Sequence, residues 1–376
     1  MVGIVVVTLL LIATPVAWRV THGNLGLFNP GSAEILVPPR GQMYYGVQLD
    51  WEEDSPATYS ARLGHSPAIY GTYLEFPFDQ AIKRSLHQKV DQVAAMKADL
   101  MLTLMPNRGL DTVTADAVHD LASTVARHNE LGVGLIVRFG HEMNGSWYAW
   151  CQQPAAYIDA FRRVANAIHT TAPDAIMLWA PNYGGGGWPF DGGRYRARRG
   201  TADYQELDSD GDGHLTKNDD PYAPFYPGDR YVDWVGLTLY HWGSRYPWTE
   251  NELPERNKFA ASLTGTYNGK GGDERSVPNF YERYAMRHNK PMVVAETSAL
   301  YRPSAKRGPS DLAIKSAWWD QVFAPFLSAR FPRLIGVLWF EYDKVDEGAV
   351  AHWRATIPSL VREFEDALPS NLVFSG

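Results

Sequence analysis

The stretch GLIVRFGHEMNGSWYAW, residues 134–150, passes within a few positions from a run of aliphatic side chains to a crowd of charge, imidazole, amide and indole. Residues 134–139 have the length and composition of a buried strand, and Arg138, His141, Glu142, Asn144, Trp147 and Trp150 gather at its C-terminal end. Working outward, short apolar runs alternate with helical patterns in both directions. Eight strands are predicted, at residues 44–49, 68–74, 100–105, 134–139, 176–180, 232–239, 292–295 and 334–340. Between them, Val118, Leu121 and Val125 form one apolar helical face, and Ile158, Phe161, Val164, Ala165 and Ile168 form another. Further helices are expected near residues 85–96, 278–288 and 311–329. Strands joined by crossover helices give an α/β chain, read as a (β/α)8 TIM barrel with a doubly wound open sheet as the alternative. No Gly-rich phosphate fingerprint follows the first strand, which counts against a dinucleotide site.

The 376 residues allow two or three domains at about 150 residues each, or one barrel of about 250 or more. No linker interrupts the alternation, so residues 41–376 are expected to be one barrel domain. Two long insertions, residues 182–230 and 241–279, follow strand C-terminal ends and should wall a cleft there. Hydrophobic residues at 45% and charged residues at 20% exclude a disordered, collagenous or multi-span membrane chain. With 13 Trp, 20 Tyr and 15 Phe, the chain is rich in flat rings suited to stacking on flat ligands. A net charge of -7 with no long basic run argues against nucleic acid as a partner. The single cysteine, Cys151, excludes an internal disulfide and reads as an inert buried thiol.

Residues 2–18 are apolar apart from Thr8, Thr14 and Pro15, about the minimum length of a membrane span. Residues 1–22 are therefore expected to be a signal peptide or membrane anchor, and residues 23–40 a linker. The expected location is outside the cytoplasm, secreted or attached through residues 2–18.

In a barrel all strand ends open on one mouth, so Glu142 after the fourth strand and Glu296 after the seventh can share a cleft. Paired carboxyls are what glycosidic cleavage needs: one protonated to donate to the leaving oxygen, the other ionised to attack or to direct water. Aromatic side chains would supply sugar platforms. No His-x-His or His-Glu-x-x-His pattern appears, which disfavours a metal-dependent hydrolase.

The segments RFGHEMNGSWYAW (residues 138–150), DWVGLTLYHWG (residues 233–243) and KPMVVAETS (residues 290–298) resemble the fourth, sixth and seventh strand ends of glycoside hydrolase family 26, the β-mannanase family. The resemblance runs from about residue 41 to residue 340. It implies a retaining (β/α)8 glycosidase with Glu142 as acid/base and Glu296 as nucleophile. It implies that Tyr240 hydrogen-bonds the nucleophile and that Arg138, His141 and Trp147 surround the cleaved sugar, and Asn144 is a substrate-binding candidate beside them. Trp339 matches the tryptophan that stacks on that sugar, and Trp242 is a further binding candidate. His65, Glu75 and His241 are candidates for side subsites. Cys151 stands where the family often has Gly, Glu341 stands where Asn is common, and the second strand end, Tyr73 to Phe76, lacks a family match. These departures bear on which sugar is taken. The expected activity is endo-acting hydrolysis of β-1,4-mannan by a monomer. The alternatives are mixed-linkage β-glucan, xylan or an exopolysaccharide, or a non-catalytic glycan-binding barrel.

Residues 208–219, DSDGDGHLTKND, fit a twelve-residue calcium loop. Asp208, Asp210 and Asp212 occupy positions 1, 3 and 5, Gly213 the turn at 6, His214 the carbonyl position 7 and Asp219 position 12. A structural Ca2+ is expected there, with no cofactor in the chemistry.

Overall fold

A computed structural model describes residues 37–375. The expected signal or anchor and residues 23–36 of the expected linker lie outside the described residues. The eight predicted strands are all present: β1 Met43–Leu49, β2 Ile69–Glu75, β3 Asp99–Met105, β4 Leu135–Phe139, β5 Ile176–Trp179, β6 Trp234–Thr238, β7 Met292–Thr297 and β8 Leu334–Glu341. Each pairs in parallel with the next. β1 also pairs with β8, from Tyr44 opposite Gly336 to Leu49 opposite Glu341, which closes the barrel and rules out the open sheet.

The strands read as near-continuous apolar runs because both faces are covered. Inward-facing Met101, Ile136, Leu178, Val293 and Leu338 fill the barrel. Outward-facing Leu102, Val137, Val294 and Val337 meet the helix layer. That layer includes α1 Pro56–Leu63, α2 Gln80–Ala95, α3 Ala115–Asn129, α4 Pro154–Thr171, α5 Ala202–Leu207, α6 Lys258–Leu263 and α7 Asp311–Val322. Leu121 and Val125 of α3 and Phe161, Val164 and Ile168 of α4 are buried, as their spacing predicts. Asp79 caps α2, its side chain accepting from the Ile82 N–H.

Two helices differ from expectation. The one expected at 278–288 is a π-helical segment, Tyr281–Met286. The one expected at 311–329 stops at Val322, and α8 Leu327–Arg330 follows, because Pro325 has no N–H to carry the helix on. After β8 come a hairpin, β9 Asp343–Asp346 with β10 Ala349–His352, then α9 Val361–Ala367. A last strand, β11 Leu372–Ser375, pairs with the start of β1 and with the short strand Ser66–Pro67. Among the described residues no helix is long and apolar enough to cross a membrane.

Candidate active site

The site stands at the C-terminal ends of β4, β6 and β7. β4 delivers Arg138, then turns through Gly140 and Glu142, both at φ 53°. A left-handed glutamate is uncommon and is held here by its surroundings. The Glu142 N–H donates to the Ala180 carbonyl (3.1 Å), and the Glu142 carbonyl accepts from Gly145 N (2.8 Å) and from the Cys151 thiol (3.3 Å). The side chain accepts from the Trp147 indole N–H at 2.8 Å.

β7 presents Glu296 through a break in pairing. Its register shifts against both β6 and β8 after Val294. Strict alternation would send Glu296 outward with Val294, and a bulge re-aims it to the mouth. The Ala295 carbonyl at the bulge accepts from the Gln48 amide, which crosses the barrel from β1 at 2.8 Å. Glu296 pairs with Arg138 and accepts from the Tyr240 hydroxyl at 2.7 Å. Arg138, fully buried, also donates to Thr238 Oγ1 at 2.7 Å.

These surroundings drive the two carboxyls apart. Burial pushes Glu142 up to about 7, assisted by the charge on Glu296. Burial acts upward on Glu296 too, but the Arg138 guanidinium, with the hydrogen bonds from Arg138 and Tyr240, holds its carboxyl below the ordinary range. Below about pH 7 Glu142 therefore favours its protonated form, while Glu296 is held toward its ionised form. Burial, then the charge of Arg138, lowers His141 to about 3, so its imidazole is neutral. Burial and the Glu296 charge place the Tyr240 and Tyr73 phenols well above their ordinary range, as proton-bearing groups. The Tyr73 hydroxyl and His141 Nδ1 are buried without a hydrogen-bond partner among the described residues. A ligand's hydroxyls could satisfy them.

The structure thus brings together Arg138, His141, Glu142, Trp147, Tyr240 and Glu296. Trp147 is 38% exposed at the rim. Trp242 is half-buried between Trp248 and Trp353, each at 4.6 Å between ring centroids. Asn144 is adjacent, but its amide donates to the Asn182 carbonyl and accepts from the Asn182 N–H, both at 2.8 Å, so it ties the loops after β4 and β5 together.

Trp339 requires a correction as a stacking platform. It is fully buried and faces the helix layer against Trp319 and Phe364, because strand alternation turns its neighbour Phe340 to the mouth instead. Phe340 packs there with Tyr240, Tyr342 and Trp353. His65 stacks on Phe374 of β11, at the opposite end of the barrel from the glutamates. His241 is buried with Nε2 against the Glu252 carbonyl (2.8 Å), and Glu75 pairs with Arg108 (3.4 Å). Glu341 is structural, accepting from Ala355 N (2.9 Å) and the Thr356 hydroxyl (2.8 Å). Cys151 is buried, as expected. The sequence reading missed Thr238, Tyr73 and Gln48; a polar residue inside an otherwise apolar strand was the available signal for Thr238 and Gln48.

In the acidic loop the carboxylates of Asp208, Asp210 and Asp212 lie within 4.8 Å of one another, and Asp208 Oδ1 has no hydrogen-bond partner among the described residues. Gly211 and Gly213 take the positive φ the tight loop requires. Asp219, expected to close a coordination shell, is buried and instead accepts from the Ser209 and Thr216 N–H groups, each at 2.7 Å.

No protein-family model matches the chain. Among characterised proteins it is 21% identical over 236 residues to endoglucanase H of Acetivibrio thermocellus, covering 61% of this chain and 19% of that protein, so it spans about a fifth of the relative's length. Among solved structures, a modular endo-β-1,4-mannanase from Cellulomonas fimi, described with the family 26 mannanases, matches 89% of this chain and 72% of its own at TM-score 0.56 and 15% identity. A family 26 structure from a Muricauda species matches 89% of this chain and 87% of its own at TM-score 0.54 and 13% identity. The barrel of this chain is therefore similar in fold to these family 26 structures, and the sequence segments that resemble that family sit at its strand ends.

Proposed function

We propose that the chain is a retaining glycoside hydrolase that cleaves β-1,4-mannan-type chains at internal bonds. The observation that supports this is that Glu142 and Glu296 meet at one barrel mouth in unlike surroundings, which raise the one carboxyl's pKa and lower the other's; Glu142 is hydrogen-bonded by the Trp147 indole, and Glu296 is paired with Arg138 and the Tyr240 hydroxyl. Glu142 donates its proton to the departing glycosidic oxygen while Glu296 attacks the anomeric carbon; Glu142, now ionised, then takes a proton from the water that releases the sugar. The Tyr240 hydroxyl and Arg138 hold Glu296 charged and oriented. Trp147 fixes the Glu142 carboxyl and offers its ring to a sugar.

The test is reducing-sugar release from mannan, glucomannan, lichenan, xylan and cellulose, with Glu142→Gln and Glu296→Gln as controls and the anomer of the first product read by NMR. Loss of activity in both variants and a retained β-anomer are expected. An inverted product, or turnover surviving Glu296→Gln, would falsify the mechanism. Mixed-linkage β-glucan is the second reading, supported by the similarity to an endoglucanase. We further infer a monomer acting outside the cytoplasm, with residues 1–22 as export signal or anchor, and a structural Ca2+ held by Asp208, Asp210 and Asp212 with the His214 carbonyl. Three gathered carboxylates suit a hard cation.

A further inference from the structure

The insertion after β5 carries Arg194, Arg196, Arg198 and Arg199, four guanidinium groups in six residues of a chain whose net charge is -7. All four are exposed, and among the described residues none forms an ion pair. Other arginines of the molecule do, among them Arg62, Arg138, Arg275 and Arg283. Arg196, Arg198 and Arg199 line a pocket of about 320 Å3 together with Gln152, Tyr204 and Leu215. Asp191 stands at its edge, yet Arg196 donates to the Asp191 main-chain oxygen (2.8 Å) and its charge is not neutralised by the carboxylate.

The arginine segment is fastened to the acid/base loop. Gln152, 2% exposed, accepts from Ala197 N and donates to the Pro189 carbonyl, both at 2.7 Å. Tyr195 N donates to the Ser146 carbonyl (2.9 Å) and Gly193 N to the Ser146 hydroxyl (3.1 Å). A Cβ at Gly193 would lie 2.2 Å from the Ser146 oxygen, so only glycine permits this approach. Pro189 and Asp191 line the pocket, while Phe190 between them packs edge-on against Trp147 at 5.3 Å, and Trp147 is the indole that holds Glu142. The main chain of the segment is thus pinned, and its unneutralised guanidinium groups match the planar geometry of carboxylates. Through Phe190 and Trp147 the pocket stands on the flank of the loop that carries Glu142, the proposed proton donor to the departing part of a glycan.

We propose that this pocket is an anion subsite and that the substrate is an acidic β-glycan, with Arg196, Arg198 and Arg199 holding a carboxylate of the departing segment. The proposal rests on the glycosidase reading above. The test uses the full chain carrying Glu296→Gln, which binds without turnover, and compares a neutral mannan with the same mannan partially oxidised to carboxylate at its primary hydroxyls. Affinity electrophoresis at low salt should show the carboxylated polymer bound about tenfold or more tightly, as charge-assisted hydrogen bonds permit. That preference should vanish in the added triple variant Arg196→Gln/Arg198→Gln/Arg199→Gln and fade at roughly 0.5 M salt, with binding of neutral mannan unchanged. Equal binding of the two polymers, or a preference that survives the triple variant, overturns the subsite. Arg198→Glu alone, which should reverse the preference, serves if the triple variant does not fold. Turnover by the unsubstituted chain is read separately. Cleavage of neutral mannan with no carboxylate preference removes only the subsite, and an anion preference with no cleavage of any polymer removes only the glycosidase reading.

Discussion

Glu142 differs from an ordinary glutamate in its backbone and in its proton. As the proposed proton donor, it sets the upper pH limit through its pKa near 7, since a donor fails as pH rises through its own pKa. The lowered pKa of Glu296 sets the acid limit, because in the proposed mechanism it must be ionised to attack. The plot of kcat/KM against pH should therefore be bell-shaped, with its alkaline limb near 7. Trp147 hydrogen-bonds the charged form of Glu142 and thereby lowers that pKa. In Trp147→Phe the alkaline limb should move upward; a downward shift would contradict the assignment. Tyr240→Phe removes the 2.7 Å hydrogen bond to Glu296 and should lower kcat by about 10- to 100-fold, the worth of a hydrogen bond to a charged group. An unchanged kcat would remove Tyr240 from the machinery. Most of these residues were legible in the sequence because polar groups clustered where apolar strands ended. Tyr73 was not, since a tyrosine near a strand end gives no sign of which carboxylate it will face.

At the scale of elements, the eight strands were legible from runs of aliphatic residues bounded by turns, and the helix faces of α3 and α4 from their spacing. Two things were not. Which face of β8 a side chain occupies depends on registry with β1 and β7, so Trp339, adjacent to Phe340, could not be assigned to mouth or helix layer from one chain. The bulge in β7 is likewise a property of three strands together. Trp339→Ala should destabilise the fold by about 3 to 5 kcal/mol, the usual result of emptying a large buried ring site, and leave KM of the folded protein unchanged. A raised KM with an unaltered melting temperature would instead return Trp339 to the sugar.

For the whole molecule, closure of β1 on β8 makes the barrel one cooperative body with its long insertions on the mouth side. The acidic loop belongs to that rim, joined to the arginine pocket by the hydrogen bond from Leu215 N to the Tyr204 hydroxyl at 2.9 Å. If the proposed Ca2+ is held there, a chelator should lower the melting temperature and leave the pH profile in place; an unaltered melting temperature would exclude a bound ion. The closing strand β11 lies beside the first residues of β1, at the end of the barrel opposite the glutamates. The described chain thus enters and leaves through the floor. Coupled to a bead through a tag after the last strand, the protein stands with its opening toward the surrounding liquid, and its turnover of a soluble polymer should match that of the free protein. A marked loss on end-coupling, absent when the same tag is left uncoupled, would show that the floor is not the neutral face this arrangement makes it.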